Sequence, residues 1–155
     1  MVREVAEIEL IARGVLLADG HVLLCRHVAG NYRYLPGGHV EFGEPAHAAL
    51  ARELAEESDV RATVGPLVHA DEHVFRQKGR LRHEINLVFH VEQPTTAPPG
   101  THPVASREDG IAFDWVRIDT LDDADLRPAY AAEIIRRLAA GTPPHPLIWR
   151  SHVDA

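Results

Sequence analysis

Within the stretch 38–60, Glu53, Glu56 and Glu57 fall on about one turn of a segment that reads as a helix. Like charges at i and i+4 cost a helix roughly 0.2–0.5 kcal/mol per pair, and anions in the last turn oppose the macrodipole. A helix that collects these costs calls for a cation to offset them. Hard divalent ions take carboxylate oxygens, and Mg2+ is bound by a few carboxylates together with substrate phosphates. At about 100° per residue, with Glu53 at zero, His47, Leu50, Ala51 and Leu54 span an apolar arc from about 60° to 160°. Glu57 then lies near 40°, so Glu53 and Glu57 border the apolar face, and only Glu56 sits where a solvating Glu belongs. Carboxylates at the rim of a buried face are costly unless paired or metal-bound. The spacing points to a magnesium-dependent phosphate site.

The flanking residues build the entrance to that helix. Leu35-Pro36-Gly37-Gly38 comes first, and paired glycines let a backbone approach a ligand closely. Glu41, Gly43 and Glu44 follow, and Pro45 suits the first helical position.

Taken together, Gly38, Glu44, Arg52-Glu53, Leu54, Glu56-Glu57 and Val60 resemble, in register, the signature of the Nudix hydrolases. One position departs: Asp59 stands where that family usually has Gly, which puts the helix end in question and leaves every charged position intact. The resemblance implies an α/β/α sandwich around a mixed β-sheet. It also implies hydrolysis of a pyrophosphate linkage in a nucleoside triphosphate, or in a nucleoside diphosphate joined to another group. By the same resemblance the metal ligands are Glu53, Glu56 and Glu57 with the Gly38 carbonyl, for Mg2+ or in its place Mn2+. Arg52 is expected to orient Glu53 and its neighbours, with Glu44 in the same network. The general base stays open between Glu56 or Glu57 and an acidic residue of the loop 106–110, where Glu108 comes before Asp109. Tyr34, His39, Phe75 and Arg76 are the candidates for substrate contact. Downstream markers of the ADP-ribose and dinucleoside polyphosphate subgroups are missing: Phe75, Arg76 and Gln77 occupy those positions.

Composition limits the alternatives. The chain has 155 residues, enough for one domain burying roughly 68–70% of its unfolded surface. We expect a single Nudix-type domain over 1–141 and a non-helical tail over 142–155, in which Trp149 docks on the domain or meets a neighbour. A net charge of −7 argues against binding duplex nucleic acid or anionic membrane, though not against nucleotides, since a metal ion inverts the local potential. The single Cys25 permits no intrachain disulfide, and its neighbours read as a buried strand. Acidic residues interrupt the apolar N-terminal stretch, and no run is long enough to span a bilayer, so a cytoplasmic protein is expected. Eleven histidines invite a zinc reading that their spacing does not support: His69 and His73 would lie about 13 Å apart on a strand. A homodimer is open through the N-terminal strand or the tail. The competing function is a nucleotide-sensing module on the same fold. Such a module should lose some Arg-Glu or Glu-Glu positions, and none is lost.

The elements that must position these residues read as strands at 8–17 and 21–27 joined by Asp19-Gly20, then a loop at 29–33. After the helix come an extended segment over 61–76 with a break at Gly65-Pro66, a turn at Lys78-Gly79 and a strand at 84–91. An irregular loop over 93–109, a strand at 111–118 and a helix over 128–139 with Ile134, Ile135 and Leu138 inward complete the order.

Overall fold

The computed structural model describes residues 6–92, 104–141 and 149–153. Strand β1 (Ile8–Ala18) turns at Asp19-Gly20, both at positive φ, into β2 (His21–His27). Two residues at positive φ match the right-handed twist of the paired strands, and the Lys78-Gly79 turn repeats the device. Between β2 and the helix the chain is not simply a loop. Tyr32–Tyr34 forms β3 against β2, and Gly37–His39 forms β4 against β1. Helix α1 (Ala46–Glu57) leads to the long β5 (Thr63–Gln77) and β6 (Arg80–Glu92). Then come β7 (Ile111–Arg117), a 3₁₀ helix (Ile118–Asp123), α2 (Ala131–Ala139) and β8 (Trp149–Val153).

The strands form one mixed sheet in the order β3-β2-β1-β6-β5-β8, with β4 on β1 and β7 on β2. Pairs β1–β6 and β5–β8 are parallel and the others antiparallel. The expected break at Gly65-Pro66 is a pair of register shifts flanking Leu67, where proline cannot donate to the ladder. Helices cover both faces. On one, Ala12, Leu16, Phe89 and Val91 pack with Leu50 and Leu54 of α1; on the other, Val15, Val22 and Val88 pack with Ile135 of α2. That is why the central strands read as near-continuous apolar runs. Ile134 and Leu138 pack on the second cluster, and α2 begins at Ala131 rather than Pro128. The described part of the tail is the strand β8, which ends the sheet beside β5; residues 93–103 and 142–148 lie outside the described residues. The Trp149 backbone pairs with Ala70.

Helix α1 differs from its expected wheel in an instructive way. Its buried residues are Ala49, Leu50 and Leu54, while His47 is exposed. On the same wheel the buried arc runs from about −40° to 100°, so Glu53 and Glu57 stand inside it rather than at its border. Pro45 is the residue before the helix, not its first position. At the other end no left-handed residue is used. Ser58 is extended, its Oγ donates to the Leu54 carbonyl at 2.6 Å and accepts from the Val60 amide at 3.1 Å. This serine closure does the work of the missing glycine, so Asp59 carries no strain there.

Candidate active site

Strand β4 lies beside β1 with Gly38 opposite Ala12 and Gly37 opposite Arg13. Both glycines are required sterically. Gly37 has φ +144, and a Cβ there would meet the Ala12 carbonyl oxygen at 1.9 Å. A Cβ on Gly38 would meet the Glu53 carboxylate carbon at 2.4 Å. The glycine pair thus brings backbone and Glu53 together, and any side chain at 38 displaces that carboxylate.

Arg52 fastens the carboxylates in place. Its guanidinium donates to Glu44 at 2.7 and 3.2 Å, to Glu53 at 3.0 Å, to Glu56 at 3.2 Å and to the His39 carbonyl at 3.0 Å. Hydrogen bonding from Arg52, then from the Glu41 amide, holds the Glu44 carboxyl below its ordinary range. A lysine offers a point charge and three donors in place of a planar fork. Arg52→Lys should therefore lower kcat by about 10–100-fold with little change in KM, measured by steady-state kinetics. A large rise in KM at unchanged kcat would instead mean that Arg52 binds substrate.

Glu57 is half-buried, and its carboxyl is pushed up to about 8. Burial is the main cause, followed by the charges of Glu108 and Glu53; Arg13 acts in the opposite direction. Glu108 reaches this position because its loop is pinned to the end of α1. Ser106 bridges Ser58, the Arg107 amide donates to the Glu57 carbonyl at 2.8 Å, and the Arg107 side chain donates to the Ala55 carbonyl at 3.0 Å. Glu56 differs from its neighbours: its side chain is 60% exposed and turned to Arg52. Among the described residues no group of three or more His, Cys, Asp or Glu is gathered closely enough to hold a metal ion as it stands. The donor set is nonetheless all oxygen, which suits a hard divalent cation.

A cleft of about 920 Å³ opens on the α2 side of the sheet. Tyr34, Phe75 and Arg76 line it, as does Arg13. The Arg13 guanidinium lies over the Tyr34 ring at 5.7 Å, and its charge also acts on Glu57. Despite the net −7, the lining holds Arg13, Arg76, Lys78, Arg80, Arg82 and Arg127 against Asp71 and Glu84. Its floor is polar: Asp71, 2% exposed, accepts from Asn86 at 3.1 Å and lies 3.2 Å from His69. Hydrogen bonds from His69, Tyr130 and Asn86 outweigh burial and keep the Asp71 carboxyl below its ordinary range. His39 is not among the lining residues; it is exposed, with Nε2 2.8 Å from Glu9. His83 pairs with Glu72 at 2.7 Å, apart from the carboxylate group. Cys25 is buried, and burial raises its thiol far above the nucleophilic range.

Sequence reasoning passed over Arg13, Asp71, Asn86 and Tyr130. Arg13 had a signal, a cation between Ile11 and Val15 on a strand whose neighbours are core. The polar floor had none, because Asp71 and Asn86 meet only through the β5–β6 register.

The fold is a mixed sheet between two helices, with a carboxylate-bearing α1 on one face and a cleft rich in cations on the α2 side. The NUDIX domain profile matches residues 9–138, and the chain belongs to the NUDIX family of hydrolases. Solved structures agree on the fold. The chain is 27% identical to the Escherichia coli ORF135 protein, with a TM-score of 0.62, over 89% of this chain and 95% of that one. The MutT protein from Methanosarcina mazei Go1 matches at 19% identity and a TM-score of 0.67, over 89% and 97%. An ADP-ribose pyrophosphatase from Streptococcus suis matches at 14% identity and a TM-score of 0.56, over 92% and 98%. Among the described residues no helix is long and apolar enough to cross a membrane.

Proposed function

We propose that this chain is a Mg2+-dependent pyrophosphohydrolase acting on a nucleoside triphosphate or on a nucleoside diphosphate linked to another group. One observation carries the reading: the Gly38 backbone lies against the Glu53 carboxylate, and Arg52 ties Glu53, Glu56 and Glu44 into one group of carboxylates. Crowded carboxylates of this kind are the expected setting for a hard cation, which they offset and which offsets them. Glu53, Glu57 and Glu56 with the Gly38 carbonyl would hold Mg2+, or Mn2+ in its place. When bound, the ion would neutralise the pyrophosphate and lower the pKa of water. Arg52 holds Glu53 and Glu56 in place and ties them to Glu44. Arg13, a cation of the cleft whose charge acts on Glu57, binds the polyphosphate. Glu108 takes the proton from the attacking water. Tyr34, Phe75 and Arg76 receive the nucleoside, and His39 lies at the rim. The reading includes a cytoplasmic setting and leaves room for a homodimer.

The test is a screen of nucleoside triphosphates and nucleoside diphosphate derivatives with Mg2+ and with Mn2+, scored by product identity. Hydrolysis at a P–O–P bridge to a nucleoside monophosphate is the expected result. Saturable binding with no turnover on any substrate would make the chain a nucleotide sensor.

A further inference from the structure

Arg26 and Arg33 stand directly opposite each other in the β2–β3 pair. Like charges in that position repel, and the chain sets a single carboxylate against them. Both Nε atoms donate to the same oxygen of Asp114 on β7, Arg26 at 2.7 Å and Arg33 at 3.1 Å. Arg33 is tied down once more, by Nη1 on the Ala124 carbonyl at 3.2 Å. Two cations on one anion leave a local positive charge in a chain whose net charge is −7.

The way the two guanidinium groups are held leaves their better donors unused. Each grips Asp114 through Nε, and among the described residues Arg26 Nη1 and Nη2 and Arg33 Nη2 have no acceptor. The side chains are only 28% and 23% exposed, so an anion beside them is screened less than one on the open surface. Both line a cavity of about 750 Å³, a size within the range of small-molecule sites. Arg117 and Asp123 in its wall cancel in charge, so the surplus of the Arg26–Arg33 pair is that of the cavity. This cavity shares no lining residue with the cleft on the α2 side, and none of the carboxylates of α1 lines it.

Donor count selects the ligand. Each Nη carries two N–H bonds, so the three free nitrogens exceed what one carboxylate accepts, about four hydrogen bonds on two oxygens. A phosphate group brings three strong acceptor oxygens and up to two charges. Guanidinium groups side by side also suit it geometrically, each offering a planar fork to a pair of oxygens.

We infer that Arg26 and Arg33 form a separate anion site that takes a phosphate group, either as free phosphate or on a small monoester. The site does not depend on the pyrophosphohydrolase reading and stands if that reading fails.

The experiment is calorimetry on the metal-stripped protein with inorganic phosphate, phenyl phosphate and acetate. Saturable binding of inorganic phosphate is expected, with acetate at least about tenfold weaker. Phenyl phosphate bound as tightly as the free ion, or more so, assigns the site to monoesters; weaker binding assigns it to the free ion. Arg26→Gln should weaken phosphate at least about tenfold. Arg13→Gln, which removes a cation of the α2-side cleft, should leave phosphate affinity unchanged. No saturable binding, acetate equal to phosphate, or a loss in Arg13→Gln but not in Arg26→Gln would overturn the inference. Amide NMR shifts of the wild-type protein test the same point without a substitution, should Arg26→Gln fail to fold. Phosphate should shift the amides of Asn31, Trp115 and Thr120, which line the cavity. Shifts centred on Arg76 and Lys78 of the other cleft would overturn the assignment.

Discussion

Glu57→Gln should cut turnover at least about a hundredfold while making the metal-free protein more stable at alkaline pH. The two effects have one origin. Glu57 is raised from 4.5 to about 8 by burial and by Glu108 and Glu53. At low pH the carboxyl is protonated both folded and unfolded and contributes no pH dependence. As pH rises from 4.5 toward 8, the unfolded chain gives up its proton while the folded one keeps it, so stability falls; above 8 the loss is complete. The full shift corresponds to about 5 kcal/mol, but Glu57 is half-exposed and solvent screening leaves about 2 kcal/mol. In a chelator the melting temperatures of wild type and variant should coincide at the acid end and separate by about 4–8 °C at pH 8.5, the variant higher. Mg2+ should then raise the wild-type melting temperature more than that of the variant, and calorimetry should show weaker Mg2+ binding by the variant. Unchanged turnover would remove Glu57 from the proposed centre, and an unchanged pH dependence of stability would contradict its burial among carboxylates.

Glu108→Gln should lower kcat by about 10²–10⁴, the usual range for losing a general base, with nearly intact Mg2+ affinity. Glu108 is anchored through the Ser106 hydroxyl, which accepts from the Glu108 amide at 3.3 Å, in a loop pinned to α1 by Arg107. Its charge is the second cause of the Glu57 shift, whereas Asp109 is not among the causes. Asp109→Asn is therefore the internal control: same loop, same charge, different reach. The acidic limb of the pH–rate profile should flatten in Glu108→Gln and persist in Asp109→Asn. A crippled Asp109→Asn beside a normal Glu108→Gln moves the role one residue along. Two normal variants place the base on α1.

Much of the fold was legible because its signals are local. Asp19-Gly20 and Lys78-Gly79 mark their turns by the positive φ they tolerate. Gly65-Pro66 marks the irregular stretch of β5 because proline has no amide to donate. The three-residue strands β3 and β4 were not legible. Strands that short carry no periodicity, and they exist only because β2 and β1 offer edges to pair with. The start of α2 and the 3₁₀ helix before it were hidden for a similar reason, being set by packing on Leu121 and Ala131 against the sheet.

By itself the sequence determined the family and the carboxylate-bearing helix, since the signature from Gly38 to Val60 is a matter of residue types at fixed separations along one chain. It also determined that Glu53 and Glu57 share a helix face, because helical pitch does not depend on the rest of the protein. Only the tertiary structure decided that this face is buried, that the Glu108 loop is pinned to the end of α1 with its charge acting on Glu57, and that Arg13 lines the cleft. The same holds for the meeting of Asp71 with Asn86 under the cleft and for the serine that closes α1 in place of glycine. Each of these depends on which strand lies beside which and on how the loops fold back, and burial and charge proximity arise from that packing rather than from position along the chain.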